Sequence, residues 1–421
     1  MKAAEAKLRA VSWKNKVPTL ARAFELASLL GNPQDKLKVV HIAGTNGKGS
    51  VAAMTERILR EAGYKTGLFT SPSLRDFNER FRINGKAVEE DKLLEVAEKV
   101  MDAAGRMKDE PTEMETITLT MYTMFLEEGC EIAVVETGLG GILDASNIVR
   151  APLVTVLTQI GLDHTAILGD TVEKIAGEKA GIIKEGRPCV TEADDPDALR
   201  VIGERCREKE SELIITDADS LTVGGFDGKY QSFSYKDRKN LKLALLGTHQ
   251  MRNAAAVLEA IEVLRREGFD ISEKAVSVGL KKVTWPARFQ RVEEGLWVDG
   301  GHNPSGAATA AAAVRRYLGK VSLLYGSFAD KEWKKNIDLL APIAESIVLV
   351  PLKSPRSEQP EDIQKYLRGK GYEATVCVDV NSGLKAARAL GKLKRIDTLA
   401  VGSLELAAEV LTCVDFDCNN V

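Results

Sequence analysis

A glycine-rich segment that joins an apolar run to a helical pattern constrains the fold of this chain more than any other feature. The segment reads VVHIAGTNGKGSVAAM at 39–54. Its first part belongs to an apolar run at 37–44 that is typical of a buried strand, and its last part begins a helical pattern at 50–63. A strand that passes through glycines into a helix starts a parallel βαβ unit. We therefore predict that the first part of the chain is a mostly parallel sheet covered by helices.

Further apolar runs bounded by glycine predict the other elements of this first domain. Strands are predicted at 66–71, 131–137 and 153–160, and a helix is predicted at 253–268. Between them, short alternating segments at about 211–246 indicate a small antiparallel appendage.

The second part of the chain repeats the α/β pattern on a smaller scale. A proline and a cluster of charges at 284–295 interrupt the periodicity and predict a connector. Five or six strand-like runs that alternate with helical patterns follow it. The predicted fold class is thus α/β, with a phosphate-loop type of ATPase domain at 1–285 and a smaller Rossmann-like α/β domain at 286–421. We expect the active site in the cleft between them.

The glycine-rich loop itself has the composition of a phosphate-binding site. Gly44, Gly47 and Gly49 let the backbone approach an anion, and Lys48 adds a mobile positive charge. The loop departs from the pattern G-x-x-x-x-G-K-[ST], because Ile42 stands in place of the first glycine and Gly49 in place of the hydroxyl residue. The alternative interpretation is a tight strand-to-helix turn with an exposed lysine.

Two later segments place polar residues at the ends of predicted strands. In ETGLGGILDASN, Glu136 ends a strand beside the loop, where a carboxylate suits Mg²⁺. In IGLDHTAILGDTVEKIAGEKAGIIK, His164 follows a strand and Lys179 precedes an apolar run, which is unusual for a solvated lysine. The alternatives are a turn or cap role for Glu136 and Asp144, and solvated side chains at His164 and Lys179.

The composition argues against several classes of protein. The net charge of −3 gives no support for a nucleic-acid or membrane surface. No apolar run reaches the roughly 18–20 residues of a membrane span, and the amino terminus, MKAAEAKLRAVSWKNK, reads as an exposed basic helix without a signal-peptide core. The six cysteines include no C-x-x-C pair, which favours free thiols in a reducing compartment. We therefore expect a cytoplasmic protein with no nucleic-acid or membrane partner.

Eleven motifs follow one another along the chain: LGNPQ, HIAGTNGKGSVAA, TSPSLRDFNERFRING, ETGLGGILDASN, IGLDHTAILGDTVEKIAGEKAGIIK, GTHQMRNAAAVL, WPARFQ, DGGHNP, YGSFADK, SPRS and GSLELAAEVL. In this order they closely resemble the folylpolyglutamate synthase / dihydrofolate synthase family, a branch of the Mur ligases, over essentially the whole chain. That family's phosphate loop reads G-T-N-G-K-G-[ST], so the resemblance accounts for the irregular loop.

The resemblance implies an ATP-dependent ligase that forms an amide with L-glutamate. In that family, ATP phosphorylates a substrate carboxylate to an acyl phosphate, and the amino group of L-glutamate then displaces the phosphate. The expected small-molecule substrates are a folate or dihydropteroate together with L-glutamate. The expected cofactors are ATP and Mg²⁺ at two sites, and the family's usual state is a monomer.

The resemblance also implies roles for individual residues. The expected ATP-binding residues are Thr45, Asn46, Gly47, Lys48, Gly49, Ser50, Asn253, Arg288 and Asp299. The expected Mg²⁺ ligands are Ser71, Glu136 and His164, and Lys179 is expected to be carbamylated. The expected catalytic residues are Lys179, His302 and Asp144, and the expected substrate neighbours are Phe77, Arg80 and Ser403.

The chain departs from the family pattern at four places. Ser73 replaces a histidine, Ile142 replaces an arginine, Thr19 begins a divergent TLAR segment, and Glu405 replaces a tyrosine. The first three lie in segments expected near the pterin, so the sequence leaves open whether dihydropteroate, reduced folates or both are accepted. The alternatives to a folate ligase are a nucleotide-binding switch without ligase activity, a simple kinase and a Mur-type ligase for another acid.

Overall fold

The computed structural model describes residues 2–11 and 16–418, and its largest element is an eight-stranded sheet. Its strands are β1 (Val39–Ala43), β2 (Thr66–Phe69), β3 (Phe81–Ile83), β4 (Lys86–Ala87), β5 (Ile132–Glu136), β6 (Val154–Leu157), β7 (Cys189–Thr191) and β8 (Leu213–Ile215). The strand order is β4-β3-β2-β5-β1-β6-β7-β8, and only β3 and β4 run antiparallel to their neighbours. The prediction of a mostly parallel sheet is confirmed.

Helices cover both faces of this sheet, because successive residues of each buried strand point to opposite sides. The helices of this domain are α1 (Ala3–Leu8), α2 (Ala21–Leu29), α3 (Lys48–Glu61), α4 (Glu90–Ala104), α5 (Glu113–Glu127), α6 (Thr165–Leu168), α7 (Val172–Ala180), α8 (Pro196–Glu208), α9 (Thr248–Arg266) and α10 (Glu273–Lys282). Val40 and Ile42 pack with α3, α9 and α10, whereas Val39 packs with α1, α2, α4 and α5. Ala43 points to the same side as Val39 and packs with α7 and α8.

The amino-terminal helix is shorter and less exposed than the sequence predicts. It spans Ala3–Leu8, and its residues Ala4 and Leu8 are buried in the core. Residues 1 and 12–15 of the predicted helix lie outside the described residues.

The antiparallel appendage is also shorter than predicted. It consists of β9 (Leu221–Phe226), β10 (Gln231–Tyr235) and β11 (Arg238–Leu243), in the order β11-β10-β9. The start of the predicted segment at about 211–246 belongs elsewhere, because Leu213–Ile215 pairs in parallel with β7 and forms the edge of the main sheet. A three-residue apolar run does not encode which strand it will pair with, so periodicity could not separate these two sheets.

A six-stranded sheet forms the second part of the chain. Its strands are β12 (Gln290–Glu293), β13 (Leu296–Val298), β14 (Val321–Tyr325), β15 (Ala344–Leu349), β16 (Thr375–Val376) and β17 (Asp397–Val401). Their order is β12-β13-β17-β14-β15-β16, and only β12 pairs in an antiparallel manner. The helices are α11 (Pro304–Tyr317), α12 (Trp333–Leu340), α13 (Pro360–Gly369), α14 (Val380–Lys394) and α15 (Leu404–Cys413).

The sheet topology brings the predicted functional segments together. β5, β1 and β6 are neighbours at the centre of the first sheet, so the segments that follow their carboxyl ends share one edge. The loop that precedes α11 reaches this edge from the second sheet, where the Asn303 side chain donates a hydrogen bond to Asn46 Oδ1 at 3.3 Å. Within the part of the chain that is described, none of the helices has the length and hydropathy that a membrane crossing requires.

Candidate active site

Hydrogen bonds with the residues that follow β6 fix the conformation of the loop after β1. The Thr45 backbone N–H donates to the Gln159 carbonyl at 2.8 Å, and the Thr158 hydroxyl donates to the Asn46 carbonyl at 2.6 Å. At Gly44 the backbone has a φ of 155°, and a Cβ there would lie 1.8 Å from Thr158 Oγ1. Glycine is therefore required at this position because the loop and β6 approach so closely.

The glycines on either side of Lys48 permit two further close approaches. A Cβ on Gly47, whose φ is 93°, would lie 2.6 Å from Asn253 Oδ1 of α9. A Cβ on Gly49 would lie 2.8 Å from Trp285 Nε1 of the linker between the two sheets. Because Gly47 and Gly49 carry no side chain, the backbone N–H groups at the start of α3 stay accessible between Asn253 and Trp285. An anion site requires such accessible N–H groups.

Ser50, which is predicted to bind ATP, lies just inside α3, and its hydroxyl is engaged within the protein. Its hydroxyl accepts a hydrogen bond from Gln250 Nε2 at 3.1 Å, and the Gln250 carbonyl oxygen accepts one from Asn253 Nδ2 at 2.9 Å. Ser50 is buried. Its side chain therefore fastens α3 to α9 and fixes the orientation of Asn253.

Glu136, at the end of β5, is a buried carboxylate with few hydrogen bonds or positive charges close enough to stabilise its negative charge. It is 5% exposed, accepts one long hydrogen bond of 3.4 Å from the Ser71 backbone N–H, and lies 4.0 Å from Lys48 Nζ. Burial raises its pKa from 4.5 to about 7, although Lys48 opposes the shift. A carboxylate that the protein leaves this poorly neutralised suits a divalent cation.

The donor set near Glu136 fits Mg²⁺ that is shared with phosphates. Ser71 supplies a hydroxyl and His164 an imidazole to the same cavity. The described residues hold no cluster of three or more His, Cys, Asp or Glu side chains of metal-binding kind. A few protein ligands completed by phosphate oxygens and water are the usual environment of Mg²⁺, whereas an all-protein cage is not.

Lys179, on α7, is the second buried charge of the site for which the described residues provide no ion pair. Its side chain is buried, with the residue 5% exposed, and Nζ donates to the Gly44 carbonyl at 2.8 Å. Burial, reinforced by the nearby Lys48, lowers its pKa from 10.5 to about 7. A lysine with this pKa has a substantial neutral fraction at physiological pH and is available as a nucleophile. Lys179 shares a small cavity with Lys48, Asp163 and His164.

Asp144, predicted to be catalytic, organises the loop after β5. One carboxylate oxygen accepts the backbone N–H groups of Gly138 and Leu139 at 2.8 and 3.0 Å, and the other accepts that of Ser146 at 3.0 Å. Both oxygens are therefore engaged by backbone donors. The arrangement makes Asp144 a cap and loop brace, which was the alternative interpretation of the sequence.

The second sheet contributes Asp299, Arg288 and His302. Asp299 follows β13 and braces the linker, since its two oxygens accept the Phe289 and Gly301 backbone N–H groups at 2.8 and 2.7 Å. His302 Nδ1 lies 3.1 Å from the Gly300 carbonyl. Burial raises the pKa of Asp299 and lowers that of His302.

The loop, the strand ends and the second sheet enclose one cavity of about 260 Å³. Its walls include all of the residues that the sequence predicts for ATP and Mg²⁺, together with the predicted catalytic His302, namely Thr45, Asn46, Gly47, Lys48, Gly49, Ser50, Ser71, Glu136, His164, Asn253, Arg288, Asp299 and His302. Residues more than 250 positions apart thus meet in one cleft, and Lys179 lies directly behind the loop.

Two predicted substrate contacts lie elsewhere in this structure. Ser403 is 0% exposed, and its hydroxyl caps α15 by accepting the Leu406 backbone N–H at 2.9 Å. Phe77 is 3% exposed and packs in the core, with its ring centroid 5.7 Å from that of Phe81. Neither side chain reaches a cavity surface, because each fills a structural position. Arg80 is also buried, lies over the Phe77 ring, and leaves its Nε without a hydrogen-bond partner.

Three residues of the site belong to the motifs but were given no role from the sequence. Asn303 bridges the two sheets, since its Nδ2 lies within 3.4 Å of both Asn46 and Asp163. Lys331 Nζ lies 3.9 Å from Asp163, and Trp285 packs on Gly49. An Asn-Pro pair at the start of α11 is a recognisable helix-start signal, but it does not reveal what else the asparagine contacts.

Comparison with known proteins agrees with this geometry. Residues 42–261 match the Mur ligase middle domain, and residues 287–401 match the Mur ligase glutamate ligase domain. The dihydrofolate synthase/folylpolyglutamate synthase of Bacillus subtilis strain 168 is 35% identical over 389 residues, which cover 84% of this chain and 90% of that protein. The chain belongs to the folylpolyglutamate synthase/dihydrofolate synthase family of Mur ligases.

Solved structures of this family share the whole fold. The folylpolyglutamate synthase of Mycobacterium tuberculosis, crystallised with ADP and AMPPCP, is 26% identical with a TM-score of 0.87, and the match covers 96% of each chain. The FolC protein of E. coli, crystallised with DHPP and ADP, is 28% identical with a TM-score of 0.84 and covers 98% of this chain and 96% of that one. The folylpolyglutamate synthase family fold therefore extends over both sheets.

Proposed function

We propose that this chain is an ATP-dependent ligase that joins L-glutamate to a folate, and to dihydropteroate as a second acceptor, through an acyl phosphate. The observation that carries the proposal is the convergence on one cleft of a bare phosphate loop, the poorly neutralised Glu136, the buried Lys179 and the Arg288–His302 face of the second sheet. Family membership supplies the substrates: the similar proteins carry the names of both activities.

In the proposed complex, the backbone of Asn46–Gly49 and the start of α3 hold the phosphates of ATP. Lys48, which lies within 3.2 Å of the Gly44 and Thr45 carbonyls, supplies the charge. Asn253 is oriented by Gln250, and it faces Gly47 where the nucleotide would pass. Arg288 and Asp299 close the nucleotide site from the linker.

Ser71, Glu136 and His164 would hold Mg²⁺, at two positions together with Lys179. When bound, Mg²⁺ neutralises phosphate charge and polarises the transferred group. The proposed modification of Lys179 supplies a further anionic ligand: its neutral amine attacks CO₂, a C–N bond forms, and one proton is released to give a carbamate. The lowered pKa of Lys179, about 7, supports this reaction because only the neutral amine is nucleophilic.

The chemistry then needs two displacements. An acceptor carboxylate oxygen attacks the γ-phosphorus, and ADP leaves; the amine of L-glutamate next attacks the acyl carbon, and phosphate leaves with its electron pair. His302 lines the same cavity as Glu136, and its imidazole is proposed to accept the proton that the glutamate ammonium must lose before the amine attacks. Asp144 positions the loop between them, and the buried Arg80 adds positive charge near Glu136.

The divergent residues bear on the choice of acceptor. Ser73 lines a cleft beside Glu136 together with Pro72, Leu74 and Trp285. Ile142 is 41% exposed on the loop that follows β5. Neither side chain can supply the charge or imidazole usual in the family, so recognition of the acceptor at these points rests on apolar contact and the serine hydroxyl.

We further propose a cytoplasmic monomer that uses only small-molecule substrates. The usual state of the family supports the monomer. All six cysteines are free thiols, which suits a reducing compartment.

The test is release of phosphate from ATP in the presence of Mg²⁺ and L-glutamate, with dihydropteroate, dihydrofolate and tetrahydrofolate as separate acceptors. Glutamate-dependent release with at least one of them is the expected result. Formation of ADP without glutamate would favour a kinase, and absence of glutamate-dependent phosphate release with every acceptor would refute the folate assignment. ¹³C NMR in ¹³C-bicarbonate tests the modification, since a carbamate resonance should be present in the wild type and missing in Lys179→Arg.

A further inference from the structure

A second, larger cleft lies beside the linker and is separate from the nucleotide cavity. Its volume is about 650 Å³, within the range of small-molecule sites. Helices α3 and α10, the β9–β10 hairpin and the β12–β13 hairpin form its walls. The floor includes the aromatic side chains of Tyr230, Trp285, Phe289 and Trp297.

Among the described residues, the charged side chains that line this linker cleft are all basic. Six cationic residues line it and no acidic residue does, namely Arg57, Lys229, Lys281, Lys282, Arg288 and Arg291. Glu61 neutralises Arg57 and Lys282, at 2.6 and 3.4 Å. Among the described residues, the other four have no acidic partner within 4.0 Å. The whole chain carries a net charge of −3, so this positive cleft is a local feature.

The linker cleft adjoins the acceptor side of the active site. Trp285 and Arg288 line it and also line the cleft that contains Ser71 and Glu136. A chain-like substrate whose reacting end lies near Glu136 can therefore pass Trp285 and Arg288 and enter the linker cleft.

We propose that the linker cleft binds the γ-linked oligoglutamate chain of long acceptors. This inference rests on the proposed function. Each round of ligation places the new terminal carboxylate at the same reacting position and moves the aromatic head one glutamate further away. Each internal glutamate retains a free α-carboxylate, so the negative charge of the substrate grows with its length. Lys229, Lys281 and Arg291 lie where those carboxylates need partners.

The test compares acceptors that differ only in chain length. In the double variant Lys281→Ala/Arg291→Ala, kcat/KM for a long oligoglutamate acceptor should fall about tenfold, since each exposed ion pair contributes up to roughly fivefold. For the monoglutamate acceptor it should change by less than about twofold. Lys274→Ala removes a charge from α10 outside the cleft and should leave both values unchanged. Equal losses for both lengths, or no loss for the long acceptor, would overturn the proposal.

Binding provides a readout that does not depend on turnover. A free γ-glutamate oligomer without the pterin should change the fluorescence of Trp285 and Trp297, with a dissociation constant that rises with salt. In the double variant this binding should weaken about tenfold. If no acceptor is turned over but the oligomer still binds in this manner, the proposed function fails and the charged cleft stands; if the oligomer binds both proteins equally, the cleft assignment fails alone.

Discussion

Two buried charge clusters in the first domain have similar burial and opposite compensation. In the first, Arg22 and Glu115 each expose 6% of their side chains, and Arg22 Nε donates to Glu115 Oε2 at 3.1 Å. Arg22 also donates to Asp109 and to a backbone carbonyl, so its donors are satisfied. In the second, Glu136 and Lys179 are similarly buried, and among the described residues neither has a charged partner closer than the 4.0 Å between Lys48 and Glu136.

The difference separates buried charges that stabilise the fold from buried charges that the proposed function assigns to ligand binding. A paired buried ion costs little once its hydrogen bonds are made, whereas an unpaired one shifts its pKa until the charge is partly lost. Glu136 and Lys179 both have a pKa near 7 for this reason, while Arg22 has a raised pKa despite its burial, because Glu115 and Asp109 stabilise its charge. Substitution should therefore impair stability in the first cluster and activity in the second.

The largest effect is expected at Lys179. Lys179→Met should reduce kcat by about 10³-fold or more, because the site loses the group proposed to become an anionic ligand. Since burial lowers the pKa of Lys179 from 10.5 to about 7, the unfolded chain binds more protons between those pH values, and the free energy of unfolding of the wild type rises with pH there. In bicarbonate-free buffer the variant should gain about 2–4 kcal/mol below pH 7 and little near pH 10.

Urea titrations at several pH values and steady-state kinetics check this prediction. The control is Lys174→Met on the same helix, where an exposed lysine pairs with Asp170 and should matter by less than about 0.5 kcal/mol. An active Lys179→Met enzyme would contradict the assignment.

Arg22 should show the reverse behaviour. Arg22→Met leaves Glu115 buried without its partner and should lower the free energy of unfolding by about 3–5 kcal/mol. The kcat of the folded fraction should not change. Replacing both partners, Arg22→Met with Glu115→Leu, should restore much of the stability, and chemical denaturation of the three proteins distinguishes a lost pair from a lost packing contact. A loss of kcat at full folding would remove the contrast between the two clusters.

Glu136→Gln tests the second cluster through pH. Burial raises the pKa of Glu136 from 4.5 to about 7, so the folded state binds more protons in that window and the stability of the wild type falls as pH rises through it. In metal-free buffer the variant should match the wild type near pH 4.5 and exceed it by about 2–3 kcal/mol at pH 8. Activity should be lost. Glu131→Gln, at the exposed residue just before β5, should show no such pH-dependent gain.

The smallest effect is expected at Ser403. Because its hydroxyl caps α15, Ser403→Ala should lower the free energy of unfolding by about 1 kcal/mol. The KM for L-glutamate should stay within about twofold of the wild type. A large rise in that KM without a loss of stability would show that Ser403 contributes to glutamate binding.

The apolar run at 37–44 and the glycines around Lys48 made the parallel sheet and the phosphate loop predictable, because both depend on local sequence pattern and backbone freedom. The edge strand at Leu213–Ile215 was assigned to the wrong sheet, since pairing is a long-range property. Ser403 and Phe77 were assigned from motif membership, which does not distinguish a residue that contacts substrate from one that shapes the surrounding backbone.

The residue types and their order therefore contain the fold class, the loop that can hold phosphate, and the family to which the chain belongs. The tertiary structure decides how deeply each polar group is buried and which charged groups lie near it. Burial behind the loop gives Lys179 a pKa near 7, and approach of the second sheet brings Asn303 to Asn46. The linker between the two sheets creates a cleft whose charged lining residues, among those described, are all basic. Desolvation and charge–charge distance depend on residues far apart in the chain, so they exist only once the chain has closed around them.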